Sequence, residues 1–103
     1  MIDILNQIKQ AIFSVEPDAD IYLFGSRARG DYQDDSDWDL LILLDGNIDI
    51  QRKTRIIEAF LEIELKRGIT LFPMVINKEE WKSNRILHAT PFYKNVYSEY
   101  LSI

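Results

Sequence analysis

The side chains best suited to chemistry lie close together, in residues 25–40. Gly25 and Ser26 follow a short apolar run, and glycine at such a turn lets a ligand approach the backbone closely. The amides that open a following helix attract anionic oxygen, and the Ser26 hydroxyl can add a hydrogen bond. Asp37 and Asp39 begin the next apolar run, and residues two apart on a strand share a face. A phosphate-binding turn followed by paired carboxylates predicts a site for a nucleoside triphosphate and a divalent metal ion.

Each part of this pattern also has a purely structural explanation. A Gly-Ser turn can simply connect a strand to a helix, and Asp37 and Asp39 can form the polar entrance to a strand. Arg27 and Arg29 lie beside the turn, where they could pair with phosphate or with nearby aspartates. Each part taken alone leaves its alternatives open, and the combination is what favours a binding site.

The charge excess of the chain is concentrated in the same segment. The net charge is −5, from 12 basic and 17 acidic residues. Five of the acidic residues lie between positions 31 and 39: Asp31, Asp34, Asp35, Asp37 and Asp39. Without these five, the acidic residues would equal the 12 basic ones. Such a cluster repels itself unless a cation or water compensates it. The sequence has no basic stripe, which argues against long nucleic acid as a partner.

The bulk properties indicate a globular protein. The 103 residues allow one domain with a modest core, and we expect residues 1–103 to form a single domain. Cysteine is absent, which excludes disulfides and thiolate metal sites. No apolar run approaches the roughly 18 residues of a membrane span, and the first residues lack the pattern of a signal peptide. We therefore expect a soluble, cytoplasmic protein without membrane contact.

The elements that must position the site follow from the spacing of apolar residues. The first half of the chain predicts a helix over 2–15, a strand over 21–24, a short helix over 26–29 and a strand over 37–44. The second half predicts a helix over 49–66, a strand over 69–76, a short helix over 78–83 and a last helix from Thr90. Pro73 indicates that the third strand lies at an edge or contains a bulge. This order predicts an α/β (α+β) fold with a small mixed sheet of at least three strands flanked by helices.

Aromatic residues have two predicted locations. Trp38 alternates with Asp37 and Asp39, so we expect it to face the core on the opposite side of its strand. The C-terminal end is rich in aromatic residues: Trp81, Phe92, Tyr93, Tyr97 and Tyr100. These side chains could pack a helix on the sheet or form a surface for a partner.

The two motifs together resemble a known family. Gly25-Ser26, the stretch 27–30 and the stretch 36–40 resemble the nucleotidyltransferase superfamily of DNA polymerase beta, and most of all its minimal, single-domain members. The resemblance implies that Gly25 and Ser26 bind the triphosphate, with Arg27 and Arg29 nearby. It also implies that Asp37 and Asp39 are catalytic and bind Mg²⁺ or Mn²⁺. The implied reaction moves a nucleoside monophosphate onto an acceptor hydroxyl or phosphate and releases pyrophosphate.

One departure from this family concerns a third carboxylate. Active members carry it on a later strand, where this chain has Thr70. A hydroxyl is neither a base near neutral pH nor a strong metal ligand. Glu62 and Glu64 precede that strand, and we expect them to lie on a helix surface unless the alignment is shifted. The resemblance therefore also allows a second function, in which an antitoxin-like module binds nucleotide and pairs with a small helical partner of the HEPN type.

Overall fold

The order of secondary structure follows the apolar pattern closely. The computed structural model describes residues 2–103, with side chains from residue 4 onward. The elements in this range are α1 (Ile2–Val15), β1 (Asp20–Phe24), α2 (Ser26–Arg29), β2 (Trp38–Leu44), α3 (Ile50–Arg67), β3 (Leu71–Asn77), α4 (Lys78–Ser83), α5 (Arg85–His88), α6 (Pro91–Glu99) and β4 (Leu101–Ser102). Among these helices, none is both long and apolar enough to cross a membrane.

The four strands form one mixed sheet in the order β3-β2-β1-β4, which confirms the predicted fold class. β1 is antiparallel to β2 and to β4, whereas β2 is parallel to β3. The parallel pair requires a crossover connection, and α3 provides it. β3 lies at the edge of the sheet, as Pro73 predicted, because proline has no N–H to donate to a further strand.

β2 is the centre of the fold because both of its faces are covered. Residues 40–44 are each no more than 5% exposed, as their continuous apolar character predicted. One face packs against α1 and α3, and the residues of this core include Ile8, Ile12, Ile56 and Phe60. Trp38 belongs to the same core and is 2% exposed, so its predicted orientation away from the aspartates is confirmed.

The other face of β2 packs against the C-terminal helices. Leu41 and Leu43 share a buried cluster with Val96 of α6. The aromatic residues at this end belong to the cluster or pack against it: Trp81, Phe92, Tyr93 and Tyr100. Helix-on-sheet packing therefore accounts for most of the aromatic end. Tyr97 differs, because its side chain is 57% exposed.

Short elements and boundaries differ from the sequence prediction. β2 begins at Trp38 rather than Asp37, and β3 runs over Leu71–Asn77 rather than 69–76. The sequence does not predict α5 or β4, because elements of four and two residues are too short to show a periodic pattern. The cap of α5 is nevertheless clear, since the Asn84 side chain accepts a hydrogen bond from the Leu87 N–H.

A largely buried ion pair ties the end of α1 to the start of α3. Arg52 Nη2 donates to Glu16 Oε1 at 2.7 Å, and Arg52 Nε donates to Oε2 at 2.9 Å. Arg52 Nη1 also donates to the carbonyl oxygens of Asp45 and Asn47 in the turn after β2. The hydrogen bonds from Arg52 hold the pKa of the Glu16 carboxyl below its usual value. The pair thus links the two helices that cover the Trp38 face of the sheet.

Candidate active site

The turn after β1 brings the two predicted motifs into contact. Gly25 lies between β1 and α2 with φ 73° and ψ −159°, a conformation open almost only to glycine. Phe24 is opposite Asp39 in the pairing of β1 with β2, which places the Asp39 carboxylate over the turn. A Cβ atom added to Gly25 would lie 3.0 Å from Asp39 Cγ and would overlap Oδ2. Glycine is therefore required both for these dihedral angles and for the space that Asp39 occupies.

Asp37 and Asp39 flank the start of β2 on the face opposite Trp38. Asp37 immediately precedes the strand and is exposed, while Asp39 is half-buried. Burial raises the pKa of the Asp39 carboxyl, the charge of Asp37 raises it further, and Arg29 opposes the change. A negative charge on Asp39 beside Asp37 is therefore unfavourable, and a cation between the two carboxylates would stabilise it.

Thr70 lies beside the aspartates, where the resemblance implies a third carboxylate. Asp39 is opposite Phe72 in the pairing of β2 with β3, and the Trp38 N–H donates to the Thr70 carbonyl oxygen at 2.9 Å. Thr70 and Phe72 are both exposed. Among the described side chains, no group of three His, Cys, Asp or Glu residues could hold a metal ion. The arrangement offers two carboxylate ligands rather than three.

Glu62 and Glu64 do not complete the site. Glu62 is exposed and pairs with Lys66 one turn later, at 3.1 Å. Glu64 Oε2 accepts a hydrogen bond from the Leu71 N–H, also at 3.1 Å. Because α3 covers the Trp38 face of the sheet, both residues belong to the helix rather than to the aspartate face.

Arg27 organises the acidic loop between α2 and β2. Its Nη2 donates to the carbonyl oxygens of Asp34 and Ser36, each at 3.1 Å. The guanidinium lies 4.4 Å from the ring centroids of both Tyr32 and Trp38. Backbone carbonyls and aromatic rings thus hold this side chain. In this position Arg27 fixes the acidic loop against β2. The contact of Arg27 with phosphate stays a prediction.

Glu99, at the end of α6, is a site residue that the motifs did not include. Its Oε1 accepts a hydrogen bond from the Gly25 N–H at 3.2 Å, and both its oxygens lie 3.1 Å from Arg29 Nη1. Arg29 also pairs with Asp31 at 3.2 Å, so it contacts one of the nearby aspartates, as one alternative predicted. The hydrogen bond from Arg29 to Glu99, followed by that to Asp31, raises the pKa of Arg29. Glu99 is 74 positions from Gly25, and no local spacing connects them.

The residues at this end of the sheet fit one divalent ion together with a phosphate. Mg²⁺ prefers oxygen ligands and usually takes one or two carboxylates with substrate phosphates. Asp37 and Asp39 would supply the carboxylates, and the Gly25 turn with the partly exposed Ser26 lies next to them. The raised pKa of Asp39 is consistent with a carboxyl group that gains stability from a nearby cation.

Comparison with known proteins settles the family. The sequence profile of the nucleotidyltransferase domain matches residues 4–94. The chain belongs to this nucleotidyltransferase family. The resemblance inferred from the glycine turn and the aspartate pair is therefore confirmed at the level of the family.

The proteins and solved structures that are similar to this nucleotidyltransferase domain support the family assignment. A candidate protein adenylyltransferase from Methanocaldococcus jannaschii is 35% identical over 80 residues, which cover 76% of this chain and 81% of that protein. A crystal structure of a candidate nucleotidyltransferase from Sulfolobus solfataricus has a TM-score of 0.58 at 29% identity, covering 80% of this chain and 71% of that one. A toxin–antitoxin structure with AMP-PNP shares the fold, with a TM-score of 0.62 at 19% identity over 94% of this chain and 69% of that one.

Proposed function

We propose that residues 1–103 form one minimal nucleotidyltransferase domain that uses a divalent metal ion. The domain transfers a nucleoside monophosphate from a nucleoside triphosphate to an acceptor hydroxyl or phosphate. Because protein adenylyltransferases are among its relatives, we assign ATP as the donor and a protein hydroxyl as the acceptor. The observation that carries the proposal is the contact of Asp39 with Gly25, which joins the carboxylate pair and the glycine turn in one site.

The proposed transfer is an in-line displacement at phosphorus. The acceptor oxygen bonds to the α-phosphorus, the bond from that phosphorus to the α,β-bridging oxygen breaks, and pyrophosphate leaves. The acceptor proton passes to water, because Thr70 stands at the position where the family resemblance implies a carboxylate base. The Gly25 N–H and the Ser26 hydroxyl orient the phosphate oxygens, and Arg29 adds a positive charge beside them. Catalysis of this kind depends mostly on positioning and charge neutralisation.

Asp37 and Asp39 are the residues that would hold Mg²⁺ or Mn²⁺. Such an ion, when bound, neutralises charge on the phosphate oxygens. The protein's own contribution is to hold both carboxylates on one face, beside the turn to which we assign the phosphate. Trp38 secures this orientation, since its buried ring fixes the residue between them.

A second candidate function is nucleotide binding without efficient transfer, in an antitoxin-like module. Thr70 favours this alternative, because an exposed hydroxyl stands where a third carboxylate is expected. A toxin–antitoxin structure among the neighbours is compatible with a protein partner, and the family resemblance implies that this partner is a small helical protein of the HEPN type. The exposed Tyr97 ring offers such a partner an aromatic contact. Pairing with such a partner is also compatible with transfer, when the partner is itself the acceptor.

Intact mass measurement separates the two functions. The chain is incubated with ATP, Mg²⁺ and a HEPN-type helical protein from the same source, and the intact mass of each protein is measured by mass spectrometry. Transfer predicts a gain of one AMP unit on the acceptor, together with pyrophosphate release. The double variant Asp37→Asn with Asp39→Asn serves as the control and should abolish the gain. A stable complex of unchanged mass in the wild type would contradict transfer and support the binding module.

A further inference from the structure

The glycine turn already holds a negatively charged group from the same chain. The Glu99 carboxylate accepts the Gly25 N–H at 3.2 Å and the Arg29 guanidinium at 3.1 Å. A backbone N–H and a guanidinium are also the donors that bind phosphate oxygens. Glu99 therefore uses the same two donors to which we assign the triphosphate.

We propose that Glu99 is an intramolecular competitor of the triphosphate, so that nucleotide binds only when Glu99 leaves Gly25 and Arg29. This inference rests on the proposed function, because it assumes that the Gly25 turn is the phosphate site. Glu99 also adds a negative charge near Asp39, and both carboxylates would oppose an incoming anion. Displacement of Glu99 makes the Gly25 N–H and the Arg29 guanidinium available to the nucleotide and removes the repulsion from the Glu99 charge.

The structure allows this displacement at little cost to the core. Glu99 is the last residue of α6, and the helix is anchored one turn earlier by Val96, which is 1% exposed. Beyond it, β4 has only two residues, which pair with Tyr22 and Leu23 of β1. Rotation of the Glu99 side chain alone is enough to free the donors, and it leaves the packing of the neighbouring Tyr100 in place.

The consequence is a measurable penalty on nucleotide affinity. When a competing group occupies a site for most of the time, the apparent dissociation constant equals the intrinsic constant divided by the fraction of time for which the site is free. Neutralising Glu99 removes the charge that favours the occupied state. We expect Glu99→Gln to bind AMP-PNP with Mg²⁺ about tenfold more tightly than the wild type, which corresponds to about 1.4 kcal/mol.

Asp31→Asn is the matched control, because Asp31 is the other carboxylate on Arg29 but makes no hydrogen bond to the Gly25 N–H. Calorimetric titration with Mg²⁺ and AMP-PNP should show less than a twofold change in this variant. The Gly25 amide signal of ligand-free Glu99→Gln should shift in an NMR spectrum, whereas in Asp31→Asn it should stay in place. Glu99→Ala provides a second variant without any acceptor at this position and should change affinity in the same direction.

The outcomes distinguish this inference from the proposed function. If the wild type binds AMP-PNP and Glu99→Gln binds it equally or more weakly, Glu99 is not a competitor and the proposed function stands. Weaker binding by both Glu99 variants would instead assign Glu99 to nucleotide or metal binding. If neither the wild type nor Glu99→Gln binds at millimolar concentration, both the inference and the proposed function are wrong.

Discussion

Gly25→Ala tests whether the two motifs form one site. The dihedral angles at Gly25 lie in a region that costs other residues about 1–3 kcal/mol. The added methyl group would also overlap Asp39 Oδ2, and overpacking of this kind typically costs about 1–3 kcal/mol. We therefore expect the free energy of unfolding to fall by about 2–6 kcal/mol. For a domain of this size, the melting temperature should fall by roughly 10 °C or more.

Gly30→Ala supplies the matched control at the other end of α2. Gly30 also has a positive φ, of 88°, but an added Cβ would meet no atom within 4 Å. Its cost is therefore strain alone, about 1–2 kcal/mol. Urea denaturation and titration with Mg²⁺ and AMP-PNP compare the variants. Gly25→Ala should lose nucleotide affinity and Gly30→Ala should keep it. Equal destabilisation of the two variants, with wild-type affinity in Gly25→Ala, would refute the packing of Asp39 on the turn.

Three further predictions follow from the charged and stacked side chains. Glu16→Gln weakens the ion pair with Arg52 and should lower the free energy of unfolding by about 1–3 kcal/mol at pH 7, whereas the same change at exposed Glu62 should cost no more than about 0.5 kcal/mol. Because the folded pKa of Glu16 is lowered, its contribution to the free energy of unfolding is present above the ordinary pKa of 4.5 and disappears as pH falls through the folded pKa. The urea midpoints of Glu16→Gln should therefore depend less on pH in that range than those of the wild type. The pH dependence contributed by Asp39 has the opposite sign, because its folded pKa is raised and the ligand-free protein therefore loses stability as pH rises through that pKa. Asp39→Asn should accordingly raise the free energy of unfolding at pH 7 by about 0.5 kcal/mol in urea denaturation. A destabilised Asp39→Asn variant would contradict this. Arg27→Lys keeps the charge but not the planar stacking, so amide hydrogen exchange in residues 31–36 should accelerate, and unchanged protection would show that Arg27 does not hold the loop.

The parts of the site that depend on local sequence could be predicted, and the parts that depend on distant packing could not. The glycine turn and the aspartate pair are short motifs, and Pro73 predicted an edge strand or a bulge because proline has no N–H to donate. The contact of Asp39 with Gly25 depends on the register of β1 against β2, which no spacing of residues specifies. Glu99 reaches the turn only because α6 packs on the sheet, so its role is visible in the structure alone.

The proposed function requires that the Gly25 turn and the aspartate pair bind a nucleoside triphosphate together with a metal ion. The most direct measurement is an NMR titration of the ¹⁵N-labelled chain with ATP, with and without Mg²⁺, followed at the amides of Gly25 and Ser26. We expect saturable shifts at both amides that depend on Mg²⁺ and that vanish in the double variant Asp37→Asn with Asp39→Asn. Unperturbed amides at millimolar ATP and Mg²⁺, or equal shifts in the double variant, would contradict it.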